Sequence, residues 1–158
     1  MRKLLAIISC IPNGMTRNNR SSQQMEKPHI INLTRILDHR GNLSVVEQFR
    51  DFPFEIKRVY WVYDVPGGES RGGHSHKQQT ELLVAVGGSF SVSTDDGETK
   101  ESFFLNHPYR GLLLPKGVWR TLDDFSSGAV CLVLASDYFD EEDYIRDYNE
   151  FLDTKGKI

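Results

Sequence analysis

Cysteine is nearly absent from this chain of 158 residues, which holds only Cys10 and Cys131. Two thiols so far apart make no disulfide framework, so a reducing, cytoplasmic setting is expected. Cys131 lies inside the apolar run Ala129–Ala135 and reads as a buried free thiol. No stretch of about 20 apolar residues occurs, which excludes a transmembrane helix. Basic charge is not in excess either. The 19 Lys and Arg against 22 Asp and Glu leave a net charge of -3 with the basic residues dispersed, so neither nucleic acid nor an anionic membrane is expected as partner. Repeats are missing too, and the length suits one domain able to bury a full core.

The amino terminus stands apart. Met1-Arg2-Lys3 followed by Leu4 to Cys10 resembles the start of an export signal, but its apolar run is short, and Asn13 to Gln24 is polar without periodicity. Residues 1–24 therefore read as a disordered leader or an over-extended start, and residues 25–158 as a single domain.

What is present from His29 onward is a series of short strands divided by turn signals, the pattern of an all-β sandwich or barrel. The alternation predicts strands over Ile30–Ile36, Asn42–Gln48, Ile56–Tyr63, Thr80–Val86, Ser89–Thr94, Glu101–Leu105, Gly111–Leu114, Trp119–Leu122 and Ala129–Ala135. Asp95-Asp96-Gly97 supplies a tight turn, as do Pro66-Gly67-Gly68 and Asp38-His39-Arg40-Gly41. From Asp140 to Leu152 the period changes. Tyr144, Ile145, Tyr148, Phe151 and Leu152 recur at helical spacing behind an Asp140 cap, which predicts a short C-terminal helix.

Between these strands sits Arg71-Gly72-Gly73-His74-Ser75-His76. Two histidines at i and i+2 on an extended strand point to the same face, with Cα atoms about 6.6 Å apart. They suit proton transfer between adjacent carbons, or a shared metal ion. Gly68, His74, His76, Glu81 and Gly88 reproduce the first motif of the cupins, G-x5-H-x-H-x4-E-x6-G, so the chain resembles a cupin of jelly-roll barrel fold. The second cupin motif normally ends in a ligand histidine, yet Pro115-Lys116-Gly117-Val118-Trp119-Arg120 ends in arginine. A guanidinium has no lone pair to offer a cation and repels one. His74, His76 and Glu81 could still make a facial triad, so a metal-dependent cupin enzyme stays open as the alternative. A non-catalytic binding cupin is the other.

Wider stretches narrow the resemblance. Pro53-Phe54-Glu55-Ile56-Lys57-Arg58-Val59-Tyr60, the histidine motif through Lys77, Asp95-Asp96-Gly97, Asp124 to Gly128, Leu134 to Tyr138 and Asp143 to Tyr148 are similar to the WxcM-like sugar 3,4-ketoisomerases. That resemblance implies a homodimeric cupin that takes a dTDP-linked keto-deoxysugar, moves the ketone of dTDP-4-keto-6-deoxyglucose from C4 to C3, and needs no metal or other cofactor. It places His74, His76 and Tyr60 on the catalytic positions and Arg71 on the arginine that opens the histidine motif. The reaction removes the C3 proton, passes through an enediolate and protonates C4, and imidazole suits both transfers. His74 is assigned as the acid/base, His76 as a relay or orienting group, and Tyr60 as a hydrogen-bonding or proton-exchanging group at the enediolate oxygen. Arg58 and Arg71 are expected on the diphosphate, with Arg40 and Arg120 nearer the sugar and Glu81 beside it.

Overall fold

A computed structural model describes residues 26–156. The expected leader, with Cys10, lies outside the described residues. Two five-stranded antiparallel sheets carry the fold. The first has the order β1-β9-β6-β11-β4 and contains β1 (His29–Asn32), β4 (Arg58–Tyr63), β6 (Glu81–Gly87), β9 (Arg110–Leu114) and β11 (Val130–Ala135). The second has the order β12-β5-β10-β7-β8 and contains β5 (Arg71–His76), β7 (Phe90–Asp95), β8 (Lys100–Leu105), β10 (Trp119–Asp123) and β12 (Tyr144–Ile145). From β4 to β12 the chain crosses between the sheets at every step but the β7–β8 hairpin, as in a jelly roll. The sheets meet as an open sandwich, with no hydrogen-bonded seam between them among the described residues.

Alternation explains the core. On β6, Leu83 and Ala85 face inward onto Phe90, Val92, Leu105, Leu112, Leu122, Cys131 and Val133 from both sheets. Leu82 and Val84 point out to a second cluster with Leu33, Phe52, Phe54, Leu113 and Leu134. A central strand buried on both faces reads as a continuous apolar run, which is how Leu82 to Ala85 reads in sequence, with Val86 beyond them exposed. Cys131 is buried and unpaired, and burial pushes its thiol pKa up.

Two glycines have structural causes. Gly88 has φ 61°, and a Cβ there would stand 2.5 Å from Ser126 Oγ and 2.7 Å from the Ala129 Cα. Gly72 has φ 72°, beside the register shift between Arg120 and Leu122 where β10 pairs with β5. The extra residue on β5 is a bulge, a device that re-aims side chains next to a site.

Several expected boundaries move. The run Ile30–Ile36 splits at Leu33 into β1 and β2 (Thr34–Ile36), because β1 pairs with β9 while β2 turns away to pair with β3 (Leu43–Val45). Arg71–His76, read as a motif beside a strand, is itself a strand. The expected helix over Asp140–Leu152 is three pieces: a 3-10 turn at Glu141–Asp143, the short β12, and α1 (Tyr148–Thr154). Tyr144 and Ile145 pair with His76 and Ser75 rather than continuing a helix, and Asp147, not Asp140, caps α1 by accepting from Asn149 and Glu150 N–H. Asp140 caps the 3-10 turn.

Candidate active site

Beside the β5 bulge, a cavity of about 320 Å³ opens between the sheets, lined among others by Tyr60, Arg71, His74, Glu81, Arg120, Tyr144 and Arg146. A larger groove of about 480 Å³ lies on the outer face of the first sheet. Its lining is mostly aliphatic with no histidine or carboxylate, so the chemistry belongs to the smaller one.

The two histidines do share a face, with ring centroids 4.9 Å apart and planes at 90°. Their environments differ. His74 lines the cavity, and its Nε2 is buried with no hydrogen-bond partner. Burial, reinforced by the positive charge of Arg120, pushes its pKa down to about 2, so the imidazole keeps an available lone pair. His76 is 4% exposed and saturated. Its Nδ1 lies 2.8 Å from Asp143 Oδ2, and its Nε2 faces Arg120 Nη2 at 3.1 Å and Gln79 Nε2 at 3.0 Å.

Glu81 is 1% exposed and stands at the centre of this network. Its Oε1 accepts from the Tyr60 hydroxyl and from Gln79 Nε2, each at 2.7 Å, and its Oε2 accepts from Arg120 Nη2 at 2.6 Å. Burial opposes its charge, but the Arg120 guanidinium and these donors outweigh burial and hold its carboxyl below the usual range. Oε1 also lies 3.4 Å from His76 Nε2, two acceptors bridged by the Gln79 amide that donates to both. Tyr60 is the reverse case: burial and the adjacent Glu81 charge push its phenol pKa up, so it stays protonated.

The arginines take four different placements. Arg120 is 2% exposed, and its Nη1 donates to the His74 carbonyl at 3.1 Å while Nη2 serves His76 and Glu81. Arg58, expected on the diphosphate, does not line the cavity. Its Nη2 donates to Gln79 Oε1 at 2.9 Å and to the Tyr144 hydroxyl at 3.4 Å, fixing the Gln79 amide. Arg40 is not brought to the cavity of its own chain; it sits at the exposed β2–β3 hairpin, bonded at 2.9 Å to Asp38. Arg71 does line the cavity, together with Arg146, which the sequence reading left without a role. Arg146 pairs with Glu141 at 2.7 Å and lies 4.4 Å over the Tyr144 ring. Gln79, Asp143 and Tyr144 were missed as well. Asp143 to Arg146 belonged to a quoted motif, but helical periodicity hid that it folds back onto β5.

A cupin metal would need lone pairs from His74, His76 and Glu81. Those of His76 Nε2 and Glu81 are engaged by Arg120, Gln79 and Tyr60, and the guanidinium fills the space between them. The residues present do not fit a divalent cation, and no group of three His, Cys, Asp or Glu side chains converges on one among the described residues.

The FdtA: WxcM-like, C-terminal family model matches residues 26–156. A curated relative from Aneurinibacillus thermoaerophilus, named TDP-4-oxo-6-deoxy-alpha-D-glucose-3,4-oxoisomerase, is 45% identical over 129 residues, covering 82% of this chain and 93% of the relative. The crystal structure of a 3,4-ketoisomerase from Helicobacter canadensis superposes with a TM-score of 0.80 at 42% identity, covering 84% of this chain and 98% of that one. A mutant of the 3,4-ketoisomerase QdtA from Thermoanaerobacterium thermosaccharolyticum, in complex with TDP-4-keto-6-deoxyglucose, gives 0.81 at 38% identity over 84% of this chain and 96% of that one.

Proposed function

This chain belongs to the WxcM-like, C-terminal family, and on that premise we propose that it is a sugar-nucleotide 3,4-ketoisomerase that converts TDP-4-keto-6-deoxyglucose to the 3-keto isomer with His74 as its acid/base. The observation that carries the residue assignment is the buried, unpartnered Nε2 of His74, a residue that lines the cavity. That lone pair takes the proton from C3. The C–H electrons form the C3–C4 double bond, and the carbonyl electrons move onto O4. The O3 hydroxyl passes its proton to O4, and protonation of C4 by the imidazolium closes the carbonyl at C3 and leaves a hydroxyl at C4, so the change is internal and needs no external oxidant or reductant. The negative charge that develops on the enediolate offsets the low basicity of the resting imidazole.

Tyr60 enters as a fixed hydroxyl. Its hydrogen goes to Glu81, so toward the sugar it presents an acceptor, suited to the substrate hydroxyl beside the ketone. Ionising it would set a phenolate against the Glu81 carboxylate, which argues against the proton-exchanging role. His76 orients rather than transfers. Arg71 and Arg146, at the cavity wall, supply the cations for the diphosphate. The test is direct: purified protein with an excess of chelator, mixed with TDP-4-keto-6-deoxyglucose, yields the 3-keto sugar by proton NMR. A folded protein that binds TDP and leaves the 4-ketone unchanged would favour the binding-protein reading.

We also propose a homodimer formed through the outer face of the first sheet. β4 is an edge strand of that sheet and turns Val59, Trp61 and Tyr63 outward at 48%, 58% and 58% exposure. A twofold pairing of this face with a second copy covers both apolar edges at once. Trp61→Glu is expected to give a monomer mass by light scattering at micromolar concentration; a monomeric wild type would overturn the proposal.

A further inference from the structure

The carboxylate of Asp143 accepts three hydrogen bonds, all from the stretch that ends β5. His76 Nδ1 lies at 2.8 Å, Gln78 N–H at 2.7 Å and Gln79 N–H at 3.3 Å. The Asp143 carbonyl takes the Lys77 N–H at 2.9 Å, and Lys77 Nζ returns to the Glu142 carbonyl at 2.7 Å. A single 3-10 turn is thereby clamped onto the histidine strand. On the other edge of the His76 ring, Nε2 faces Arg120 Nη2 and Gln79 Nε2, two groups that can only donate. The Gln79 amide is itself assigned, because its oxygen accepts from Arg58. Nε2 must therefore carry the lone pair, and the ring hydrogen resides on Nδ1 and goes to Asp143. Histidine in water favours the opposite tautomer.

We propose that Asp143 is a positioning residue of the isomerisation. Its carboxylate holds His76 in the Nδ1–H form, and the Nε2 lone pair of His76 in turn fixes the Arg120 guanidinium and the Gln79 amide, which orient Glu81 and the Tyr60 hydroxyl at the cavity. This rests on the ketoisomerase reading for its catalytic consequence only. Asn at 143 keeps the size and leaves an oxygen for the Gln78 N–H, but it then turns an NH2 toward His76 Nδ1–H, donor against donor. The ring responds by losing the bond or by moving its hydrogen to Nε2, where it meets Arg120 and Gln79, two more donors. The first outcome frees the ring on which Arg120 and Gln79 are held and the second drives Arg120 away, and both loosen the network that fixes the direction of the Tyr60 hydroxyl.

The tautomer is read in the resting protein, with no substrate, by nitrogen-15 NMR of histidine-labelled enzyme. The expected spectrum has a protonated, pyrrole-type Nδ1 and a bare, pyridine-type Nε2 for His76; the reverse assignment overturns the proposal whatever the activity turns out to be. In Asp143→Asn that pattern is expected to be lost, with kcat down about tenfold or more and KM changed less than about threefold. A folded Asp143→Asn with wild-type kcat overturns the proposal, as does a loss confined to KM. Should that variant fail to fold, the wild-type spectrum decides alone: hydrogen on Nδ1 supports the assignment and hydrogen on Nε2 ends it.

Discussion

Replacing Arg120 by Met tests the central network most severely, because the new side chain fills much of the same volume while removing every donor. Three bonds disappear: to the His74 carbonyl, to His76 Nε2 and to Glu81 Oε2. Glu81 is left 1% exposed, still bonded to Tyr60 and Gln79 but without its counter-charge. Breaking a buried pair from one side costs about 3–5 kcal/mol. The orphaned acceptors on His74 and His76 would each add about 1 kcal/mol or more in isolation, but they overlap with that figure and are not summed with it. For a chain of this length, about 3–5 kcal/mol lowers Tm by about 10–15 °C. Glu81→Gln in the same background removes the stranded charge and should recover at least half of the loss, so the two substitutions are strongly non-additive. Urea unfolding at pH 7 of wild type, both single variants and the double variant, with the slope of the transition checked for constancy, measures the cycle. An Arg120→Met protein within about 1 kcal/mol of wild type, or an additive cycle, would refute the reasoning.

His74 titrates in the unfolded chain near 6.5 but only near 2 when folded. The unfolded state therefore takes up a proton that the folded state refuses, and stability present above pH 6.5 declines as pH falls toward 2. Partial solvent access reduces the slope below the roughly 1.4 kcal/mol per pH unit of a fully excluded proton. Between pH 6.5 and 5 the decline should vanish in His74→Asn, and a slope unchanged by that substitution would contradict the assignment. At the cavity mouth, Arg146→Met should weaken TDP binding by about tenfold or more, whereas Glu141→Gln, which frees Arg146 from its present partner, should tighten it. Calorimetric titration of TDP against both variants reads the two signs, and equal affinities would remove Arg146 from the diphosphate site.

How much of this was legible depends on distance along the chain. The His-x-His pair, the glutamate five residues on and the glycine turn all lie on β5, β6 and the turn after it, where period and spacing act directly, and the shared face of His74 and His76 followed from strand geometry alone. At Arg120 the sequence showed that the position where other cupins carry a ligand histidine holds a group that cannot ligate, while His74, His76 and Glu81 left a facial triad open. Partners that fold back from afar were not. Asp143 is 67 positions from His76, and its segment shows a helical period because Tyr144 and Tyr148 are half-buried and Ile145 is buried, although Tyr144 and Ile145 pack as a strand. The continuous apolar alternation of Ile30–Ile36 concealed a change of partner at Leu33, whose N–H bonds to the Tyr109 carbonyl. Arg40 and Arg58 show the limit for long side chains: charge and motif say nothing of their local partners, which within this chain are Asp38 and Gln79.

The account stands on His74 as the group that moves the proton. The measurement is turnover of TDP-4-keto-6-deoxyglucose by His74→Asn in deuterated buffer, followed by NMR, with TDP affinity determined on the same preparation. Wild type should form the 3-keto isomer and carry solvent deuterium at C4, and His74→Asn should bind TDP within about threefold of wild type while its rate falls by about a hundredfold or more. Turnover by His74→Asn at the wild-type rate would contradict the account.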